Sequence, residues 1–292
     1  MSRGGFQSVG PYRLLGMVYV GHHCQIWRAY QEGRNQTVAI KMLLEKFRQS
    51  REHQGYLKRE YVAGSAVLHE RIIRMLDYGV DHDISYLAIE WFPAPNLKNR
   101  IRQGPQAVAA LVPKIVAQAS EAVAVFNAAG WVHRDVKPEN FLVADDGEVK
   151  LIDFSLAQRR KGLLRQWLTP KSKAQGTHSY ISPEQIRGGV VDQRADLYSL
   201  GCTLFELLAG RPPFTATNST ELLNKHLRAT PPPLEIACPD INPEFAQLIR
   251  RAMAKEPAAR FRSTEAFYHN VLHTPVFCAG EASEVAPGDT PL

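Results

Sequence analysis

At Phe92-Pro93-Ala94-Pro95 the pattern of apolar residues changes, and this break constrains the fold more than any other feature of the chain. Each proline removes a backbone donor and pushes the residue before it out of the helical region, so neither a helix nor a central strand runs through the segment. Before the break, Tyr12 to Val20, Gln25 to Tyr30, Thr37 to Leu43 and Ser85 to Glu90 are rich in β-branched, aromatic and aliphatic side chains and read as strands. One helical pattern, about Tyr56 to Leu68, interrupts them. After the break, Ala107 to Ala129, Asp196 to Ala209, Thr220 to Leu227 and Pro243 to Lys255 carry apolar residues at intervals of three and four. A small β-rich lobe is therefore expected to precede a larger helical one, an α+β arrangement.

A chain of 292 residues with 45% hydrophobic composition can bury one large two-lobed core or two small ones. Its four cysteines, Cys24, Cys202, Cys238 and Cys278, have no paired spacing, which argues against a disulfide framework or a zinc site. A reducing, cytoplasmic location is the expectation. No apolar run approaches the roughly 20 residues that cross a bilayer, so no membrane segment is expected. The net charge of +6 resides in one stretch: Phe154 to Pro183 contains no acid but holds Arg159, Arg160, Lys161, Arg165, Lys171 and Lys173. The remainder is balanced, so the charge does not point to a nucleic-acid partner. Residues 1–11 are read as an extension and 273–292 as a tail; Gly280 to Leu292, with two prolines and three acids, is expected to be disordered.

The strongest chemical signal is His133-Arg134-Asp135-Val136-Lys137-Pro138-Glu139-Asn140, set between a helical segment and the apolar pair Leu142-Val143. A polar run bounded in this way faces a cavity or solvent. Nearby, Leu151-Ile152-Asp153-Phe154 reads as a short strand delivering a carboxylate at its end. Phosphoryl transfer needs charge neutralisation, in-line positioning and an acceptor for the hydroxyl proton, and these residues supply all three. Asp135 is the candidate acceptor, Lys137 would sit against the transferring phosphoryl, and Asn140 and Asp153 offer hard oxygen ligands for Mg2+, with Mn2+ as the alternative.

Together with Val38-Ala39-Ile40-Lys41, these segments resemble the signature set of eukaryotic-type serine/threonine protein kinases, in the style of bacterial members. The resemblance implies a two-lobed kinase fold over residues 12–272, with an antiparallel N-lobe over about 12–92 and a mainly helical C-lobe over about 93–272. It implies that Lys41 contacts the α- and β-phosphates of ATP and pairs with Glu60. It places Val18, Ile26 and Ala39 over the adenine, Gly21 in the phosphate-covering loop, Ile89 as gatekeeper, and the backbones of Glu90 and Phe92 against the adenine edge. Ser182-Pro183-Glu184 would dock through Glu184 on Arg260, and Asp196 would cap the backbone of the catalytic loop. Protein substrates are implied, as are autophosphorylation of the activation segment, with Thr169 and Ser172 the best-placed acceptors, self-association for that step, and a docking role for Thr177.

Four positions, Tyr19, Cys24, Ser155 and Gly64, depart from the pattern. Tyr19, Gly21 and Cys24 stand where three glycines would cover the phosphates; His22 and His23 could partly compensate as donors there, although exposed loop histidines are more often idle. Ser155 follows Asp153-Phe154 in place of glycine. Gly64 sits one turn after Glu60, where a bulky side chain would pack toward Phe154 and His133, and a hole and a loosely held helix are expected. These departures keep a second reading open, an ATP-binding scaffold or regulator of pseudokinase type. Lys41, Glu60, Asp135, Asn140 and Asp153, all present, favour the active enzyme, and Glu184 with Arg260 opposes a small-molecule phosphotransferase.

Overall fold

A computed structural model describes residues 8–104, 108–160 and 178–278. Six strands form the N-terminal sheet: β1 (Ser8–Val9), β2 (Tyr12–Val20), β3 (Cys24–Gln31), β4 (Gln36–Leu43), β5 (Met75–Asp81) and β6 (Ile84–Glu90). Their order is β1-β2-β3-β4-β6-β5, and every pairing is antiparallel. His82 and Asp83 both have positive φ, 43° and 65°, which matches the right-handed twist required of a two-residue hairpin between β5 and β6.

Alternation along the strands sorts the two faces of this sheet. Val38, Ile40 and Met42 of β4 join Tyr12, Ala29, Tyr86 and Ala88 in one buried cluster. Ala39 and Lys41 therefore project to the opposite face, as a period of two requires. Helix α1 (Arg51–Ser65) lies on that second face, with Ser50 as its N-cap, and its buried positions are Leu57, Glu60, Ala63 and Gly64.

The second lobe is built around α3 (Val112–Ala128) and α5 (Gln193–Ala209). Fourteen of the seventeen residues of α5 are buried, so it runs through the core instead of over its surface. It begins at the Asp192 cap and ends at Gly210, whose φ of 71° closes the helix in the left-handed region. Around this pair lie α2 (Leu97–Arg102), α4 (Pro183–Ile186), α6 (Ser219–Arg228), α7 (Leu234–Ala237), α8 (Pro243–Ala252) and α9 (Thr264–His273). Short strands β7 (Trp131–Val132), β8 (Phe141–Val143), β9 (Val149–Leu151) and β10 (Gln158–Arg159) pair as β7 with β10 and β8 with β9, facing the cleft between the lobes.

Two sequence expectations change here. Ala109–Ala128 is long and apolar enough to cross a membrane by length and composition, contrary to the reading that no run qualifies, and half of that window is buried in the protein. Its Ile115, Val116, Ala119, Val123 and Phe126 belong to the core, which accounts for the composition. Ordered structure also extends beyond the sequence-read borders, because β1 pairs with β2 and Phe277 bridges to Ile241.

Candidate active site

The hairpin β8–β9 fixes the geometry of the cleft. Its register pairs Phe141 with Leu151, and the Ile152 amide donates to the Asn140 carbonyl at 2.9 Å, so Asn140 and Asp153 leave adjacent strand ends on the same side. Asn140 donates through Nδ2 to the Asp135 carbonyl at 2.7 Å and to Asp135 Oδ2 at 3.2 Å. Its Oδ1 is thereby the end turned away from that loop. Lys137 Nζ reaches Asp135 Oδ2 at 2.6 Å, so the candidate proton acceptor and the candidate phosphoryl contact form one unit.

From the other lobe, Lys41 Nζ lies 2.7 Å from Glu60 Oε2 and 3.3 Å from Asp153 Oδ1. Burial works against the Lys41 charge, but Asp153 and Glu60 raise its pKa above the ordinary lysine value. Burial pushes the Glu60 carboxyl up to about 7, with Lys41 opposing the rise. Burial also works to raise Asp153, yet Lys41, a hydrogen bond from the Ser155 side chain and Lys137 hold it well below the usual carboxylate range. The cleft thus presents an ionised carboxylate at neutral pH.

A second tier supports the polar loop. Asp196, fully buried on α5, accepts from the amides of His133 and Arg134, both at 2.7 Å. Arg134 has φ of 69°, a left-handed backbone that costs a non-glycine residue about 1–3 kcal/mol and persists only where the surroundings hold it. Its carbonyl accepts from Gln185 Nε2 at 3.0 Å, so both of its peptide groups are tied. Phe154 stacks on Phe126 at 4.8 Å between centroids and meets His133 edge-on at 5.5 Å. Glu184 and Arg260 form a bidentate pair at 2.7 and 2.8 Å, as expected from the sequence.

The residues expected over the adenine lie on adjoining strands of the N-terminal sheet. Ile26 pairs with Lys41 across β3 and β4, and Ala39 pairs with Ile89 across β4 and β6. Val18 is 55% exposed on β2. The Glu90 carboxylate pairs with Lys150 at 2.9 Å, and the Lys150 ammonium lies 5.5 Å above the Phe92 ring, fixing the link between the lobes. The Gly21 amide donates to the Cys24 carbonyl at 2.8 Å, and a Cβ on Gly21 would stand 3.0 Å from the Tyr19 ring. A side chain at position 21 would therefore press on the exposed Tyr19 ring, which would have to shift slightly.

Two expectations are corrected. Gly64 leaves no hole: a Cβ built on it would stand 2.7 Å from Met75 Cγ and 2.9 Å from Phe154 Cδ2, so Met75 already fills the space. His23 is not turned toward phosphate; its ring packs on Phe47 at 4.9 Å and on His53 at 4.8 Å, against the start of α1. Lys161, Arg165, Thr169, Lys171, Ser172, Lys173 and Thr177 lie outside the described residues, as does the tail from Gly280.

Sequence reasoning missed Asn127, which donates to Asp196 at 2.8 Å, and Gln185, which is buried and grips Arg134. It also missed the triad in which Lys98 donates to the buried Glu206 and Tyr180. A buried asparagine on an apolar helix was the one available signal for Asn127.

The protein kinase domain family model matches residues 12–272 of the chain. The chain is 30% identical over 266 residues to a probable serine/threonine-protein kinase of Streptomyces coelicolor, covering 90% of this chain and 39% of that protein. It is 32% identical over 266 residues to the serine/threonine-protein kinase PrkC of Bacillus subtilis, covering 89% and 40%. To PknA of Mycobacterium tuberculosis it is 31% identical over 266 residues, covering 89% and 60%. It thus spans about two fifths to three fifths of the length of these relatives. The crystal structure of the M. tuberculosis PknI kinase domain superposes with a TM-score of 0.69 at 22% identity, covering 94% of this chain and 99% of that one.

Proposed function

Because this chain belongs to the protein kinase domain family, we propose that it transfers the γ-phosphoryl group of ATP to serine or threonine hydroxyls of protein substrates. The observation that carries this reading is the meeting of Lys41, Glu60 and Asp153 from two lobes within 3.3 Å, beside the Asp135–Lys137–Asn140 unit. An ATP-binding scaffold has no use for all of these groups.

The donor set suits a hard divalent cation. Asn140 Oδ1 and the ionised Asp153 are oxygen ligands on adjacent strand ends, and among the described residues no cluster of three or more His, Cys, Asp or Glu could hold a metal by itself. Two protein oxygens completed by phosphate oxygens and water fit magnesium, which keeps part of its shell outside the protein. When bound, such an ion neutralises charge on the β- and γ-phosphates. Lys41 holds the α- and β-phosphates, positioned by Glu60. Asp135 accepts the hydrogen bond of the substrate hydroxyl and orients it in line, and Lys137 balances charge on the moving phosphoryl.

The four cysteines are all free thiols, which supports a reducing, cytoplasmic setting. Autophosphorylation through transient self-association remains part of this reading. The test is transfer of labelled γ-phosphate to the protein itself and to a generic basic protein, with magnesium, with manganese and with a chelator. Metal-dependent labelling on serine or threonine supports it. Nucleotide binding without transfer under any metal would replace it with the scaffold reading.

A further inference from the structure

Asp153, like Arg134, is a non-glycine residue in the left-handed region, with φ of 62°. Such a backbone holds only where its neighbours are fixed. For Arg134 the fixing groups are Asp196 on one side and Gln185 on the other. For Asp153 the near side is its own carboxylate, whose Oδ1 accepts from Lys41 Nζ and from the Ser155 amide, both at 3.3 Å. The far side is the Ser155 carbonyl, and it accepts from Arg59 Nη1 at 3.2 Å.

Arg59 immediately precedes Glu60 on α1. Two consecutive helix residues therefore grip opposite ends of one circuit: Glu60 holds Lys41, Lys41 holds Asp153, and Arg59 holds the peptide two residues beyond Asp153. The Arg59 guanidinium also lies 5.5 Å from the Tyr56 ring centre, one turn back, which restricts its rotamers. Gly64 offers Phe154 no side chain, and Met75 of β5 fills the space that a side chain at position 64 would take. The described polar tie from α1 to the segment after Asp153 runs through Arg59.

We propose that Arg59 is a positioning residue that clamps the Ser155 carbonyl to α1 and so keeps Asp153 in its left-handed, metal-facing conformation. The inference rests on the kinase reading for its catalytic consequence, though not for its effect on metal-dependent nucleotide binding. A cationic donor to a carbonyl is worth enough to shift a local two-state equilibrium about tenfold. Arginine supplies reach and charge, and lysine, also long and cationic, can supply the one hydrogen bond to the Ser155 carbonyl.

The experiment compares the unaltered chain with Arg59→Ala and Arg59→Lys. It measures binding of a fluorescent ATP analogue across a magnesium titration, then KM and kcat, and the melting temperature. The expected result for Arg59→Ala is a half-saturating magnesium concentration raised about tenfold and a kcat lowered about tenfold, with melting within about 2 °C of the parent. Arg59→Lys recovers most of both losses. An unchanged magnesium dependence in Arg59→Ala overturns the proposal, whether or not its melting temperature falls. Equal impairment in Arg59→Ala and Arg59→Lys also overturns it, because lysine retains a donor. If the parent protein binds metal and nucleotide but transfers no phosphate, the kinase reading fails while the binding arm still decides the role of Arg59.

Discussion

Met75 occupies the volume beside Gly64, with its Cγ and Cε 2.7 and 2.8 Å from where a Cβ on residue 64 would stand. The glycine is thus an accommodation to a side chain delivered from the neighbouring strand. Gly64→Leu removes the helix penalty of glycine, about 1 kcal/mol, but must displace Met75 and the fully buried Phe154. Overpacking of this kind costs about 1–3 kcal/mol, so the variant should melt lower and lose activity. Adding Met75→Ala should recover much of the loss by making room. A Gly64→Leu variant with raised activity and unchanged melting would show that the site is not filled.

Asp135 and Asp153 should separate by what they touch. Asp135→Asn keeps the hydrogen bond from Asn140 but loses the acceptor for the substrate hydroxyl proton, so kcat should fall about 10²–10⁴-fold with nucleotide affinity nearly unchanged. Asp153→Ala removes a ligand and the partner of Lys41, so metal-dependent nucleotide binding should fail as well. Isothermal titration with and without magnesium, paired with steady-state rates, distinguishes the two. Equal loss of binding in both variants would contradict the division of roles.

How much of this was legible beforehand depended on where each answer lay in the chain. Lys41, Asp135, Asn140 and Asp153 were readable because each sits in a short run whose spacing matters, and the structure brings all four to one cleft. The strand Met75–Asp81 was missed because Asp77, Gly79 and Asp81 break its apolar pattern, although cross-strand packing on β6 overrides that weakness. The helix Thr264–His273 was missed for its polar, aromatic-rich composition, though Ser263 caps it. The expected hole at Gly64 came from reading one helix alone. Its filler comes from another element, and periodicity carries no information about which side chain crosses that gap.

His226 gives the fold a dependence on acidity. It is fully buried on α6, with Nδ1 2.9 Å from the Tyr198 hydroxyl and its ring against Phe214. Burial, with Lys255 and His178 nearby, lowers its pKa to about 4, while the Ser179 backbone opposes the shift. In the unfolded chain the same imidazole titrates near the ordinary 6.5. The unfolded state therefore binds the proton more readily between these values, so this contribution is complete above about pH 6.5 and is lost as pH falls toward 4. Between pH 7 and 5 the loss should be about 2 kcal/mol, read from urea midpoints. His226→Gln should flatten that slope while lowering stability at pH 7; an unchanged slope would assign the acid sensitivity elsewhere.

The cysteines should react with an alkylating reagent in an order set by burial and charge. Only the thiolate attacks, so a thiol whose pKa is raised is slow at neutral pH even where the reagent can reach it. Cys202 is fully buried and its thiol is pushed up to about 12, first by desolvation, so it should stay unlabelled until the protein unfolds. Cys24 is half-buried at the start of β3; burial raises its thiol, and the Lys41 charge offsets only part of that. Burial likewise raises Cys238. Cys278 is exposed, so peptide mapping by mass spectrometry should find it modified first, with Cys24 and Cys238 well behind and Cys202 last. Cys24 shares the cleft with Lys41 and Asp153, so ATP with magnesium should slow its labelling further and leave Cys278 unaffected. Rapid modification of Cys24 at pH 7 would mean that Lys41 activates the thiol more than burial suppresses it, and would make residue 24 a reactive position above the phosphate site.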